Sequence, residues 1–341
     1  MSNLLFPVLS VLSDGKFHSG EAMARHFNVS RVAIWHALAG AEKLGVEIFS
    51  VRGKGYRLTK PLILIEEDKV KNAIGEMANW FNVKVLDVVD STNDYLKKEA
   101  VGGYPHASCV VTNIQTHGKG RRGRQWQSAL GENLTFSFLW RFTKGAAALS
   151  GLSLVVGVAL IRSLKKINIH PALLKWPNDV LIKEDGIFKK LAGILIELQG
   201  DMDGQSTAII GVGINLNLSK KQIAKIDQPA TSLIEWTNEI VNPNDFLAII
   251  IRDLAEVLAV FEESGFSSLR EEWISYDAFH DQVVNISSGD GSTIQGRSQG
   301  VNDAGSLEVL TEDGVKIFAS GEITVRTVSY THLRAHETDI N

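Results

Sequence analysis

The spacing of apolar residues changes period twice along this chain, and no single layer of secondary structure accommodates all three regimes. Leu4, Leu5, Val8, Leu9 and Leu12 recur at helical spacing until Asp14-Gly15 ends the run. Ser19–His26 reads as a second short helix. Ser30 is placed to cap a third, whose apolar face is Ile34, Leu38 and Ala41. Glu47–Val51 and Tyr56–Thr59 read as two strands around the turn Arg52-Gly53-Lys54-Gly55. Three helices followed by a basic-tipped hairpin is the layout of a winged helix-turn-helix. Pro61–Leu64 reads as a linker.

The middle of the chain mixes both periods. Val83–Val89 and Ser108–Asn113 are strand-like. Leu134, Phe136, Phe138, Trp140 and Phe142 alternate onto one face of a strand, with Thr135, Ser137 and Arg141 on the other. Gly151–Leu164 reads as a buried helix. Leu191–Leu198 and Thr207–Leu216 flank the turn signal at 200–204 and are expected to pair as an antiparallel hairpin. Phe246, Ile250, Leu254, Val257, Leu258 and Phe261 predict a long amphipathic helix, with Gly265 suited to its C-terminal cap. Together these predict an α+β domain whose helices cover a largely antiparallel, mixed sheet. From about Ala278 the pattern becomes five short strands separated by turns, predicting a small SH3-like β-barrel.

The chain is therefore expected to be multidomain: residues 1–64, 65–272 and 273–327. Residues 328–341, which contain VSYTHLRAHET, read as the translation of a sequencing adapter, a non-native tail.

Bulk composition narrows the function classes. Hydrophobic residues make up 44% and charged residues 22% of the 341, ordinary for a soluble globular protein. The single cysteine, Cys109, excludes an intramolecular disulfide framework and fits a reducing, cytoplasmic setting. The N-terminus lacks the basic start of a signal peptide. The longest uncharged run, Gly145–Ile161, is too short to span a bilayer, so no membrane partner is expected. Nine histidines show no metal-ligand spacing, and no metal site is expected from them. The whole chain carries −4, yet residues 1–64 hold eight Lys/Arg against four Asp/Glu. A basic unit on an acidic body points to a nucleic-acid partner for that unit alone.

The sharpest local feature is Gly118-Lys119-Gly120-Arg121-Arg122-Gly123-Arg124. Glycines let backbone approach a ligand, and arginine forks suit carboxylate or phosphate oxygens. Taken alone, the run fits an anion-binding loop, a solvated basic loop or a nucleic-acid patch. It is not a P-loop, because GxxxxGK[ST] is absent.

This run resembles the glycine/arginine-rich loop of the bacterial bifunctional biotin–protein ligase and biotin operon repressor family. Asp90-Ser91-Thr92-Asn93, Gln115, Lys175-Trp176-Pro177-Asn178-Asp179, Lys190-Leu191-Ala192-Gly193-Ile194 and Gly211-Val212-Gly213-Ile214-Asn215 resemble that family's further motifs, in its order. Each motif is weak alone; the ordered set is specific. Lys119 departs from the pattern, since the family's best-known loop has arginine there.

The resemblance implies a ligase that joins biotin to ATP as biotinoyl-5′-AMP. It then passes the biotin to a lysine of the biotin carboxyl carrier protein of acetyl-CoA carboxylase. It implies biotin contacts from Ser91, Thr92, Asn93, Gln115, Lys119, Gly120, Arg121, Lys190 and Gly193. ATP or the adenylate would meet Arg121, Arg122, Arg124, Trp126, Asn178 and Asn215, with Mg²⁺ arriving on ATP. The catalytic candidates are Lys190 and Arg121 at the reacting anions and Asp179 at the incoming amine. Physically, short neutral groups such as Ser91, Thr92 and Gln115 suit a neutral urea. Equally, Asp90 or Ser91 could be no more than a helix N-cap.

On the N-terminal unit, the third helix would enter the DNA major groove through Ser30, Arg31, Val32 and Trp35, with Arg52 and Lys54 reaching phosphates. Trp35 could equally be packing. The resemblance further implies repression of biotin-synthesis genes at an operator, and a homodimer when the adenylate is bound. Two other readings stay open: a catalytically silent biotin-sensing DNA-binding regulator, and a lipoate–protein ligase.

Overall fold

The computed structural model describes residues 3–200, 204–237, 239–288, 291–319 and 323–327. The tail at 328–341, Glu322 and parts of the turns at 200–204 and 288–291 lie outside the described residues.

The N-terminal unit is α1 (Leu5–Leu12), α2 (Gly20–His26), α3 (Arg31–Lys43), β1 (Ile48–Val51) and β2 (Gly55–Leu58), the strands pairing antiparallel. The serines cap as their positions require. Ser19 accepts from the Ala22 amide at 3.0 Å and Ser30 from the Ala33 amide at 3.2 Å. Leu5, Leu9, Leu12, Ile34 and Leu38 are buried between the helices.

The segment read as a linker is not free chain. Leu62 and Leu64 are buried in the same cluster as the N-terminal helices, together with Ile114 and Leu130 from the middle of the protein. Its backbone is also held. Asn113 Oδ1 accepts from the Ile65 amide at 2.9 Å, and Asn244 Nδ2 donates to the Leu64 carbonyl at 3.0 Å. Two buried asparagines thus satisfy backbone groups that would otherwise be buried without partners.

The middle region comprises α4 (Glu67–Ile74), β3 (Asn82–Val89), α5 (Thr92–Val101), β4 (Ser108–Gln115), β5 (Gly118–Lys119), β6 (Gln125–Trp126) and β7 (Asn133–Phe142). It continues with α6 (Leu152–Lys166), β8 (Ala172–Lys175), β9 (Asp179–Glu184), β10 (Ile187–Gly200), β11 (Ser206–Asn215), α7 (Lys220–Ile223), α8 (Pro243–Ser264) and α9 (Ser267–Ser275). Seven strands form one sheet in the order β3-β4-β7-β11-β10-β9-β8, antiparallel except for the parallel β3–β4 pair. The expected hairpin is the β10–β11 pair, and Gly265 ends α8 with φ +70°.

The strand β7 alternates as its sequence predicts. Its aromatic face packs as expected into the main core with α6 and α8. Its other face is buried too: Thr135 and Ser137 are 3% and 0% exposed, and Leu139 packs with Leu96 of α5, Val110 and Ile209. Helices cover both faces of the central strands, so period-2 alternation here separates two buried environments rather than core from solvent.

The C-terminal strands are β12 (Val283–Ser288), β13 (Thr293–Val301), β14 (Leu307–Thr311), β15 (Gly314–Phe318) and β16 (Ile323–Thr327). They form an antiparallel sheet ordered β15-β14-β13-β12-β16, and among the described residues no ladder closes β15 onto β16. The sheet is tied to the middle region at its 302–305 turn. The Trp176 indole donates to the Gly305 carbonyl at 3.1 Å, and Ser150 Oγ donates to the Ala304 carbonyl at 2.6 Å. No helix of the described residues is long and apolar enough to cross a membrane.

Candidate active site

The open area of the central sheet carries a cavity of about 400 Å³. Its floor follows from strand register. Thr135 of β7 pairs with Gly213 of β11, Gly213 with Gly193 of β10, and Gly193 with Asp179 of β9. At about 4.8 Å per strand this row spans about 14 Å, with a hydroxyl at one end, a carboxylate at the other and no side chain between. The glycines are required. A Cβ on Gly213 would sit 2.4 Å from Cε2 of Trp126, whose indole lies over the row. In the neighbouring row, a Cβ on Gly211 would sit 2.3 Å from Asn93 Oδ1. Both neighbours are side chains of the site itself.

At the Thr92 end the polar groups form one network. Ser91 Oγ caps α5 by accepting from the Asp94 amide at 3.3 Å, so the N-cap reading of Ser91 is realised while Ser91 also borders the cavity. Gln115 Oε1 accepts from the Thr92 amide at 2.9 Å. Ser137 Oγ lies 2.7 Å from Thr92 Oγ1 and 2.5 Å from Asn93 Oδ1. Asn93 Nδ2 donates to Glu197 at 2.8 Å, and Glu197 is paired with Lys97 at 2.7 Å. Buried and mutually bonded, these groups are held rigid.

At the other end Lys190 Nζ lies 2.6 Å from Asp179 Oδ1, and the two side chains are only 18% and 15% exposed. A bulge places it there. Between Lys190 and Ala192 the β9–β10 register shifts, so Lys190 lands on the same face as Gly193, three residues on. Without the bulge the ammonium would point to the opposite face. Asn215 fixes the bulge: its Nδ2 donates to the carbonyls of Lys190 at 3.2 Å and Thr231 at 3.0 Å. Its Oδ1 accepts from Asn133 at 3.1 Å. Asn215 borders the cavity, but its amide is spent on positioning Lys190.

The glycine/arginine run is a short hairpin, β5 against β6, closed by a turn in which Arg122 takes φ +59°. It reaches over the cavity. Arg121 is half-buried and donates to Asn178 Oδ1 at 3.2 Å, while Asn178 Nδ2 is clipped to the Ile194 carbonyl at 2.7 Å. Burial presses the Arg121 guanidinium below its ordinary pKa and the Asp179 carboxylate opposes this; an arginine stays charged throughout. Lys119 is committed to Asp94, with Nζ at 2.6 Å, and so ties the hairpin to α5. Arg122 and Arg124 are exposed at the rim, and Gly120, Trp126, Asn178 and Gly193 also border the cavity.

Sequence reasoning missed three parts of this site. Thr135 and Ser137 were legible only as the non-aromatic side of β7. Lys225–Gln228, beyond α7, also line the cavity and carry no motif. Val325 of β16 also reaches the cavity, so the C-terminal sheet contributes to its rim.

On the N-terminal unit, Arg31, Val32 and Trp35 share the outer face of α3. Val32 and Trp35 are 62% and 57% exposed, which removes the packing alternative for Trp35. Arg52 and Lys54 are exposed on the β1–β2 turn. Ser30 is engaged as the helix cap.

Three comparisons bear on this architecture. Residues 85–215 match the Biotin/lipoate A/B protein ligase family, residues 5–57 an HTH domain, and residues 279–326 the Biotin protein ligase C terminal domain. The chain is 37% identical over 321 residues to the bifunctional ligase/repressor BirA of Salmonella typhimurium, covering 94% of this chain and 97% of that protein. It is 30% identical over 245 residues to the biotin–[acetyl-CoA-carboxylase] ligase of Paracoccus denitrificans, covering 70% of this chain and 98% of the other. Among solved structures it resembles the biotin protein ligase from Aquifex aeolicus in complex with biotin and ATP. That match has a TM-score of 0.61 and 31% identity, over 72% of this chain and 99% of the other.

Proposed function

This chain belongs to the family of bifunctional biotin–protein ligases and repressors, and from that premise we propose how its residues divide the work. It is an ATP-dependent biotin–protein ligase whose helix-turn-helix makes it a repressor as well. The observation that carries the catalytic reading is the part-buried Lys190–Asp179 pair, set beside Arg121 at one end of a glycine-floored cavity.

Biotin's urea lies against Ser91, Thr92, Asn93 and Gln115, whose hydrogen bonds to one another fix their directions. Its carboxylate reaches Lys190 beside Gly193 and the loop at Gly120 and Arg121. A carboxylate oxygen attacks the α-phosphorus of ATP, the bond to the β-phosphate breaks, and pyrophosphate leaves with the negative charge. Two anions must approach, and Lys190 and Arg121 offset their repulsion in a site with little water. Arg122 and Arg124 at the rim meet nucleotide phosphates, Trp126 packs on the adenylate, and Asn178 and Asn215 hold the strands that carry the cations. Mg²⁺ supplies further neutralisation when it enters on ATP.

In the second step a lysine amine of the acceptor attacks the acyl carbon, the bond to phosphate breaks, and AMP leaves. The attacking ammonium must first shed a proton, and Asp179 takes it once Lys190 is engaged by the adenylate. The acceptor is the biotin carboxyl carrier protein of acetyl-CoA carboxylase.

For repression, α3 enters the major groove with Arg31, Val32 and Trp35 at base edges, while Arg52 and Lys54 meet phosphates. The adenylate-bound form is a homodimer on operator DNA in the cytoplasm. The functional units are residues 1–64, 65–272 and 273–327, the last an SH3-like fold. Incubation with biotin, MgATP and a carrier domain tests the ligase reading. A carrier heavier by one biotin is expected; pyrophosphate-free binding of biotin alone would instead identify a silent sensor.

A further inference from the structure

Among the polar groups that border the cavity and have no role in the scheme above is the Thr135 hydroxyl. Thr135 is 3% exposed, borders the cavity, and its Oγ1 has no hydrogen-bond partner among the described residues. The other hydroxyls and amides on this face are engaged: Ser137 with Thr92 and Asn93, Gln115 with Thr92. A buried hydroxyl without a partner is costly, and a binding site is where such a cost is tolerated because a ligand removes it.

Position says which ligand atom that is. Thr135 stands two residues before Ser137 on the same face of β7, about 7 Å from the urea-binding network. Across the strands it starts the row that runs over Gly213 and Gly193 to Asp179, with the Trp126 indole above the glycines. It therefore stands where the strand from the urea network meets the row that leads to the carboxylate end. Between those two ends biotin carries one heteroatom, its ring thioether sulfur, a weak hydrogen-bond acceptor. We propose that the Thr135 hydroxyl donates to this sulfur and makes Thr135 a specificity-determining residue, favouring a sulfur-bearing fused ring over a urea–carboxylate ligand that lacks it.

This inference rests on the biotin reading above, and the test separates the two. Full-length protein and its Thr135→Val variant, which keeps shape and strand preference, are titrated calorimetrically with biotin and with desthiobiotin. Desthiobiotin keeps the urea and the carboxylate but has no sulfur. The variant is expected to bind biotin about fivefold more weakly. Its affinity for desthiobiotin should stay within about twofold, since no lone donor–acceptor pair is lost. The empty variant should melt no lower than the parent, since a buried unpartnered hydroxyl has been removed. Equal weakening for both ligands, or none for either, overturns the sulfur contact. Parent protein that binds neither ligand overturns the biotin reading and this inference with it.

Discussion

Asp179 accepts from Lys190 across 2.6 Å at the edge of the cavity, so the two residues proposed for successive chemical steps offset each other's charge. Under the proposed roles this arrangement would order the reaction: while Lys190 sits on Asp179, the carboxylate would not take a proton from an incoming amine, and a bound carboxylate or phosphate would compete for the ammonium and release it.

Asp179→Asn keeps an oxygen for Lys190 but removes the base. Adenylate formation should change by no more than a few-fold, whereas transfer of preformed adenylate to the carrier should slow by about 100-fold or more. Separate assays of pyrophosphate release and carrier biotinylation check this. Equal loss in both would place Asp179 in the first step as well.

Gly213→Ala adds a methyl where Trp126 Cε2 would be 2.4 Å away. The indole must leave the floor or the strands must part, at a cost of about 1–3 kcal/mol. Thermal unfolding should show the loss, and biotin, which the displaced indole no longer packs on, should bind more weakly by about fivefold or more, since each 1.4 kcal/mol is tenfold. Unchanged melting and affinity would mean that the indole does not rest on this glycine.

Much of this was legible in the sequence, for identifiable reasons. Serine caps, the aromatic alternation of Leu134–Phe142 and the ordered motifs each depend on near neighbours, and the structure realises the elements they predict. What escaped depends on register or on distant packing. The Lys190–Asp179 contact needs the bulge before Ala192, which nothing in Lys190-Leu191-Ala192-Gly193 announces. Pro61–Leu64 has a linker's turn residue, yet Leu62 and Leu64 are buried in one cluster with Ile114 and Leu130, fifty or more residues on. The placement of Lys225–Gln228 beside the cavity is set by the chain's return over the sheet and not by local pattern.

Asp277 offers a pH test away from the site. It joins α9 to the C-terminal sheet, pairs by a bridge with Leu174, and has one carboxylate oxygen buried without a partner. Burial pushes its carboxyl from 3.8 up to about 6; a hydrogen bond from the Phe279 amide and the nearby His280 oppose this only in part. A raised folded-state pKa means that the neutral acid is favoured by folding. The resulting stability is fully present below about pH 4 and is lost as pH rises through about 6. Asp277→Asn should therefore be the more stable protein at pH 7, by an amount on the order of 1–3 kcal/mol. The difference should shrink towards pH 4. Denaturant titrations at the two pH values check it; a constant difference would remove Asp277 as the titrating group.

The measurement closest to the central claim is single-turnover pyrophosphate release from biotin and MgATP by the double variant Arg121→Met/Lys190→Met. Both changes keep apolar bulk and remove charge. If these two cations are what allows carboxylate and α-phosphate to meet, release should fall by about a thousandfold or more while the protein stays folded. Release at the parent rate would contradict the account.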